Sequence, residues 1–221
     1  MTATTTQTMK IIVFGASGEV GRRLVAEAAS RGHRVSAVSR RQPSPGTHDP
    51  SVATLIRDVE SAGDLKEVIA DHDLVISALK PRDGHEPKLV PLTAAVVQAA
   101  QAAGKRFIVV GGAAPLLVPD SPGHTVLTAP GFLPESDVPI ATACQRQHDW
   151  CLDHLEPHGS YICPPAMLTP GTRIGAYRIG GDTLVVDEQG RSHISMEDFA
   201  VAVLDEAEHP QHAGQQFTVG Y

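Results

Sequence analysis

The sequence predicts an α/β fold, a doubly wound parallel sheet with helices on both faces. Three observations lead to this prediction. Apolar segments of strand length alternate with amphipathic segments of helix length along the 221 residues. A glycine-rich turn follows the first strand segment. Residues 74–78 are also apolar enough for a strand that is buried on both faces.

The elements follow from these patterns in chain order. Apolar, β-branched segments predict strands at Lys10–Phe14, Arg34–Ser39, 53–57, 74–78, Arg106–Val110, 161–163 and 216–219. Helical periodicity predicts helices at 20–30, 64–70, 89–103, 140–155 and 196–207, the last with Ser195 as its N-cap. The alternation gives right-handed βαβ crossovers, and hence a Rossmann-type sheet. A hairpin between residues 176–179 and 183–186 is expected among small carboxyl-terminal elements on the substrate side.

The domain organisation is simple. We expect a single folded domain over residues 10–221, because no repeat or linker divides it. Residues 1–9 are expected to form a disordered tail, since its polar start lacks the apolar core of a signal peptide. The segment at 113–139 is rich in proline and long for a loop. It is either a wall or lid over a substrate site, or a surface insertion.

Composition and charge reduce the range of functions expected for this chain. The net charge is −7 and no basic block occurs, so nucleic acid is not an expected partner. No apolar run is long enough to predict a membrane span. The three cysteines lack C-x-x-C spacing, which predicts a reducing, cytoplasmic environment without disulfides. The oligomeric state stays open between a monomer and a homodimer.

The glycine-rich turn has the spacing G-x-x-G-x-x-G, formed by Gly15, Gly18 and Gly21. The first glycine permits a tight turn, the second lets the main chain approach a phosphate, and the third lets the helix pack on the strand. The amino terminus of the following helix favours anions. We therefore predict that a nucleotide pyrophosphate binds at Gly15, Ser17, Gly18, Glu19 and Val20.

This spacing resembles that of the short-chain dehydrogenase/reductase superfamily, and the resemblance implies NAD(P) as the ligand. Further segments resemble the atypical branch, which includes NmrA-like NAD(P)H-binding proteins and biliverdin-IXβ/flavin reductases. They lie at 15–18, 38–40, 73–78, 163–165, 175–177, 194–198 and 217–221. The resemblance also implies that Pro164, Pro165 and Ala166 lie beside the nicotinamide.

The second strand ends in Arg40 and Arg41, where NAD-specific folds usually carry an acidic residue. A guanidinium can bind a 2′-phosphate, so we predict NADPH rather than NADH, with Arg40 as the principal ligand. The alternative is a solvated arginine pair. The other cofactor contacts are expected mainly at the carboxyl ends of parallel strands, at Asp58, Val59, Ala78, Leu79, Lys80, Gly111 and Gly112.

The usual proton relay of the superfamily is missing. Pro165 stands four residues after Tyr161, and Gly181 stands four residues after Tyr177, so no Tyr-x-x-x-Lys motif is formed. Tyr221 has no residue after it in the sequence. The resemblance to flavin reductases implies a serine after the fifth strand and a histidine after the Pro-Pro step, and this chain has alanines at both places.

His148 is the predicted general acid or hydrogen-bond donor to substrate. It shares a helix face with Cys144 and Cys151 at i, i+4, i+7 spacing, and histidine titrates near neutral pH. The alternative is that this face packs on the sheet. No metal site is expected, because three ligands on one helix lack a fourth from elsewhere.

Three functions remain open at this stage. The first is an NADPH-dependent oxidoreductase that transfers hydride to a flat conjugated small molecule, such as a flavin, quinone or enone. The second is a redox sensor of the NmrA type, which binds NADP(H) and a partner protein. The third is a non-redox isomerase or cyclase on the same fold. We place the oxidoreductase first by analogy with related folds.

Overall fold

The computed structural model describes residues 7–42, 44, 49–155 and 157–221. Residues 1–6 of the expected tail therefore lie outside the described residues. Met9, also expected in the tail, packs against the core, and its amide donates a hydrogen bond to Nδ1 of His33 at 3.3 Å. The packed part of the described chain thus includes a residue that precedes the first strand.

Ten strands form two sheets within these described ranges. They are β1 (Lys10–Phe14), β2 (Arg34–Ser39), β3 (Ala53–Ile56), β4 (Leu74–Ser77), β5 (Arg106–Val110), β6 (Gly159–Cys163), β7 (Met167–Thr169), β8 (Arg178–Gly180), β9 (His193–Ser195) and β10 (Gln216–Gly220). The main sheet has the order β3-β2-β1-β4-β5-β6-β10-β8. Only β8 is antiparallel to its neighbour, and β7 and β9 form a separate parallel pair.

Helices cover both faces of the main sheet. They are α1 (Glu19–Ser30), α2 (Leu65–Ala70), α3 (Leu89–Ala102), α4 (Val138–Leu152) and α5 (Met196–Glu208). One buried cluster joins α1 and α5 to the sheet, and the other joins α2, α3 and α4 to its opposite face. Ser195 caps α5 as predicted, because its Oγ accepts a hydrogen bond from the Asp198 amide at 3.0 Å. The doubly wound α/β fold is confirmed.

The strand order creates a crevice at one edge of the sheet. The chain moves outward from β1 to β2 and β3, and then returns to the other side of β1 with β4 and β5. The connections after β1 and β4 therefore leave on opposite faces. In such sheets the carboxyl ends of the two central strands open a crevice for ligands. Here those ends are Phe14 and Ser77, which are paired in the sheet.

The predicted hairpin is wrong. Residues 178–180 form β8, which pairs antiparallel with β10 and places Ile179 opposite Val219. Thr183 instead forms a bridge to Leu117. Without β8, strand β10 would have an open edge of unpaired backbone groups. Pairing of β8 with β10 satisfies the backbone hydrogen bonds of a longer core strand than a local hairpin would. Two three-residue strands, β7 and β9, were not predicted.

The long segment at 113–139 is anchored to the protein body. Leu116 and Val126 are buried, and the Val126 amide donates a hydrogen bond to the Leu116 carbonyl at 2.8 Å. A bridge between Leu117 and Thr125 closes this turn. The segment thus contributes side chains to the core on the α2–α4 face. In the ranges that the structure describes, no helix is both long and apolar enough to cross a bilayer.

Candidate functional site

The turn between β1 and α1 is pressed against the end of β4. Gly15 has φ +80°, a region that favours glycine, and a Cβ there would lie 2.7 Å from the carbonyl carbon of Ala78. A Cβ at Gly21 would lie 2.8 Å from the Gly15 carbonyl carbon. Both positions therefore require glycine for a close approach of backbone to backbone. This geometry brings the first turn of α1 next to the ends of β1 and β4.

The amino terminus of α1 is suited to an anion. Gly18 is its N-cap and has no side chain to satisfy the first amides, which have no acceptor within the helix. The Glu19 carboxylate bonds instead to Arg22 at 2.7 Å and Arg23 at 2.9 Å. These hydrogen bonds, that from Arg22 first, lower the pKa of Glu19. The helix dipole and the free amides would favour a phosphate here.

A polar cleft of about 210 Å³ lies beside this turn, across the ends of β1, β2, β3 and β4. It brings together nine predicted cofactor residues: Gly15, Ser17, Gly18, Arg40, Asp58, Val59, Ala78, Leu79 and Lys80. The sequence prediction missed six further lining residues: Phe14, Val38, Ser39, Arg57, Glu60 and Leu92. Arg41 is outside this lining, and its carbonyl accepts a hydrogen bond from Ser39 Oγ at 2.7 Å.

Two guanidinium groups border the polar cleft. Arg40 follows β2 and Arg57 follows β3, and the residues before them, Ser39 and Ile56, are paired in the sheet. The side chain of Arg57 bonds through Nε to Asp64 at 3.2 Å and through Nη1 to the Ile56 carbonyl at 2.8 Å. The strand register could have identified Arg57 in advance, because adjacent parallel strands end side by side.

An apolar cavity of about 400 Å³ adjoins the polar cleft. The two share Gly18, Ala78, Leu79 and Lys80, so they form one continuous groove around the end of β4. The cavity also contains the predicted residues Glu19, Val20 and Gly111. Its unpredicted walls are Leu89, Val110, Ile140, Cys144, Gln147, Leu168 and Met196. None of residues 113–139 is among its lining residues, so the segment is not a wall of this cavity.

The floor beneath the apolar cavity is a buried polar layer. Tyr161 Oη donates a hydrogen bond to Oε1 of Gln147 at 3.1 Å, and Gln147 Nε2 donates to Thr93 Oγ1 at 2.8 Å. A Cβ at Gly111 would overlap the Tyr161 ring, and one at Gly112 would lie 2.6 Å from Cys144 Sγ. Burial raises the pKa of Tyr161 well above its usual range, which keeps the phenol protonated.

The structure does not bring His148 into the cavity lining. Its Nε2 is hydrogen-bonded to Gln216 Oε1, and its Nδ1 lies 3.3 Å from Asp149 Oδ1. The ring packs edge-on against Tyr161, with 5.4 Å between centroids. Helical spacing correctly put His148 on one face with Cys144 and Cys151, but only Cys144 lines the cavity, whereas His148 and Cys151 are buried in the protein. Burial raises the pKa of Cys144 to about 11 and that of Cys151 to about 12.

The remaining predicted contacts lie outside both linings. Pro164 and Pro165 are buried, and Ala166 is exposed, with its amide 3.4 Å from Ser192 Oγ. Gly112 lies next to Gly111 but below Cys144. Across the described residues, no group of three or more histidine, cysteine or acidic side chains could hold a metal ion.

The residues around the turn fit a dinucleotide. The glycine cradle exposes main chain at a helix amino terminus, and the adjoining groove continues to the arginines on one side and to an apolar cavity on the other. Phosphates need the first feature, and the two ends of a dinucleotide need the other two. A model of the NAD(P)H-binding family matches residues 15–210, and the chain belongs to this family.

Known proteins resemble the chain over nearly its whole length. The uncharacterized protein YwnB of Bacillus subtilis is 35% identical over 214 residues, which are 96% of this chain and 98% of YwnB. A crystal structure of an epimerase candidate from Bacteroides thetaiotaomicron is 35% identical with a TM-score of 0.87, covering 97% of this chain and 98% of that chain. An NADH-flavin reductase candidate from Streptococcus pneumoniae is 26% identical with a TM-score of 0.85, covering 96% and 99%.

These matches confirm the resemblance to atypical short-chain dehydrogenase/reductase proteins. They show an NAD(P)H-binding, oxidoreductase-like fold that is shared with a flavin reductase candidate. The names of the relatives do not agree on one reaction, since one is called an epimerase and another a reductase.

Proposed function

We propose that the protein is an NADPH-dependent oxidoreductase that transfers hydride to a flat conjugated acceptor without a Tyr-x-x-x-Lys relay. The observation that carries this proposal is the continuous groove around the end of β4. Its polar cleft is bordered by two arginines, and its apolar cavity is large enough for a small organic molecule. The shared residues Ala78, Leu79 and Lys80 lie where the polar cleft and the apolar cavity meet.

The preference for NADPH rests on Arg40 and Arg57. Both line the polar cleft, whereas no carboxylate follows β2 directly to bind a ribose 2′-hydroxyl. A planar guanidinium matches the geometry of a 2′-phosphate. Arg57 already has a partner in Asp64, with both side chains about half exposed, so the pair is weakly held and can exchange partners.

The acceptor would lie in the apolar cavity, against the nicotinamide end of the dinucleotide. A bound reduced nicotinamide would supply the hydride. The protein's part is to hold a flat acceptor against it and to exclude water, which the aliphatic walls Leu89, Ile140 and Leu168 would do. No tyrosine or histidine lines the cavity, so the reaction relies on orientation more than on an acid of that kind.

Two other functions have specific support. The lack of a tyrosine or histidine acid in the cavity lining favours a sensor that binds NADP(H) without turnover. The epimerase candidate at 35% identity favours a non-redox isomerase or cyclase. The free thiols, two buried and one half-buried, support a reducing, cytoplasmic location for any of these functions. We propose a small molecule as the partner in the first and third cases, and a monomer or homodimer as the active species.

The first experiment is calorimetry with NADPH and NADH, followed by absorbance at the nicotinamide band after adding FMN or a simple quinone. The oxidoreductase proposal expects tight NADPH binding, weaker NADH binding and rapid loss of the band. Tight binding without loss of the band for any acceptor favours the sensor or the isomerase. No binding of either nucleotide contradicts the proposal and its alternatives that depend on the cofactor.

A further inference from the structure

The proposed reaction would create negative charge in the apolar cavity. Hydride transfer to a conjugated carbonyl or quinone leaves negative charge on the acceptor oxygen, and a positive group beside that oxygen stabilises this charge. Most of the cavity walls are aliphatic, and the polar side chains among them are Glu19, Lys80, Cys144 and Gln147. Only one of these four side chains can stabilise that charge. This step rests on the proposed function.

Three of the four side chains are already committed or unsuited. Gln147 uses its amide oxygen for Tyr161 and its amide nitrogen for Thr93. Glu19 is an anion paired with arginines, and would repel the developing charge. Burial raises the pKa of Cys144 to about 11, so its thiol is a weak acid and carries no positive charge.

Lys80 is the remaining polar side chain of the cavity. It is the third residue after β4 and follows Ala78 by two residues, and the Ala78 amide donates a hydrogen bond to the Phe14 carbonyl at 2.9 Å. It lines both the polar cleft and the apolar cavity, and thus stands at their junction. Within the described residues it forms no ion pair, whereas Lys88, nearby in sequence, binds Glu60 at 2.8 Å.

The charge of Lys80 acts across the cavity. It opposes the effect of burial on the pKa of Cys144, a residue of the opposite wall on α4. It also lowers the pKa of Glu86 on the solvent side, after the hydrogen bonds that Glu86 accepts from backbone amides. The charge of Lys80 is therefore felt by Cys144, which lines the cavity. No carboxylate forms an ion pair with Lys80 in the described ranges.

We propose that Lys80 binds a carbonyl oxygen of the acceptor and stabilises its developing negative charge, and that the acceptor is a flat, apolar quinone or enone. A bound reduced nicotinamide would supply the hydride, two electrons and one hydrogen, and the new C–H bond would form at a carbon conjugated to the acceptor carbonyl. The displaced electron pair moves onto the acceptor oxygen. That oxygen takes a proton from the Lys80 ammonium as its N–H bond breaks, and Lys80 regains a proton from water.

The test separates charge recognition from turnover. Binding of 2-hydroxy-1,4-naphthoquinone, an anion at neutral pH, is compared by calorimetry with that of its neutral 2-methyl analogue, with and without NADP⁺. The wild-type protein is expected to bind the anion about tenfold more tightly. Lys80→Met, which keeps the length of the side chain, abolishes this preference, and Lys80→Arg retains it. Lys66→Met, an exposed lysine on α2 outside both linings, is the control and retains it.

Kinetics give a second readout where the acceptor is turned over. Lys80→Met should lower kcat by about 10- to 100-fold, a larger effect than any change in its affinity for NADPH. Lys80→Arg should restore part of kcat, because arginine supplies the charge but does not give up a proton near neutral pH.

Three results would overturn the inference: equal binding of anion and neutral analogue by the wild type, an unchanged preference in Lys80→Met, or a loss confined to NADPH affinity. The last would make Lys80 a cofactor ligand. A preference that disappears in Lys80→Met, in a protein that oxidises no NADPH, would leave the anion site standing and contradict the oxidoreductase proposal alone.

Discussion

The backbone amide of Arg57 donates a hydrogen bond to the carbonyl of Ser39 at 3.0 Å, and this bond places Arg57 directly beside Arg40 at the end of the sheet. This hydrogen bond extends the pairing of β2 and β3 by one residue. It brings Arg40, which its position in the sequence identifies, next to Arg57, which only the strand register identifies. Together they border the polar cleft opposite the glycine turn.

Removal of either arginine should weaken NADPH binding selectively. A charged hydrogen bond contributes about 1.5–3 kcal/mol, so we expect Arg40→Ala to raise the Kd for NADPH by about tenfold or more. Arg57→Ala should have a smaller effect, because Asp64 competes for this side chain. The Kd for NADH should hardly change in either variant.

Calorimetry of both nucleotides with each variant measures this discrimination. Arg34→Ala is the matched control, because Arg34 begins β2, the strand that Arg40 follows, and is outside the polar cleft. Equal losses for NADPH and NADH would mean that the arginines contact a part common to both nucleotides.

Gly21→Ala should disrupt the nucleotide turn. The new methyl group would meet the Gly15 carbonyl, with its carbon atom 2.8 Å away, so α1 must move away from the turn. We expect a loss of about 1–3 kcal/mol in the free energy of unfolding and a clear drop in NADPH affinity. Denaturant unfolding and calorimetry measure the two effects. Gly63→Ala is the control, because no heavy atom lies within 4 Å of a Cβ there.

His148→Ala is expected to reduce stability rather than catalysis. The change removes the hydrogen bond to Gln216 and the packing of the ring against Tyr161. Leaving the Gln216 amide oxygen without its partner costs about 1–3 kcal/mol. Turnover with a saturating acceptor should stay within about twofold of wild type. A large loss of kcat in a folded variant would instead restore His148 as the general acid.

The ion cluster at Glu27 predicts a loss of stability in acid. Arg173 donates two hydrogen bonds to Glu27, at 2.8 and 2.9 Å. These bonds lower the pKa of Glu27 below its usual value of 4.5; burial opposes this shift and Arg31 adds to it. A lowered carboxyl pKa stabilises the fold above the unfolded pKa, and the contribution disappears as the pH falls through the folded pKa.

The melting temperature should therefore fall more steeply below about pH 4.5 for the wild type than for Glu27→Gln. Thermal unfolding followed by circular dichroism between about pH 7 and pH 3 measures both curves. Parallel curves for the two proteins would show that Glu27 keeps its unfolded pKa in the native state.

The sequence predicted most of the main sheet because local patterns specify it. The bounds of β1, β2 and β5 were predicted as found, since each is a short buried segment between turn residues. The pairing of β8 with β10 was missed, because it joins residues about 40 positions apart and no local pattern specifies which edge a short strand will choose.

The same distinction applies to the groove. Residues close to the glycine turn could be found from spacing, whereas Arg57 depends on the register of two strands. Helical periodicity put His148, Cys144 and Cys151 on one face, but it did not say whether this face meets a cavity or the core. Lys80 was predicted as a cofactor contact. Only the structure shows that Lys80 also lines the apolar cavity and forms no ion pair within the described residues.

The position of β10 also affects how the protein is made. This strand lies between β6 and β8, although it comes from residues 216–220. During synthesis, β6 and β8 leave the ribosome first and expose their pairing edges until β10 is inserted between them. We expect that chaperones must protect the nascent chain over this interval. We also expect a chain truncated before residue 216 to aggregate rather than to fold.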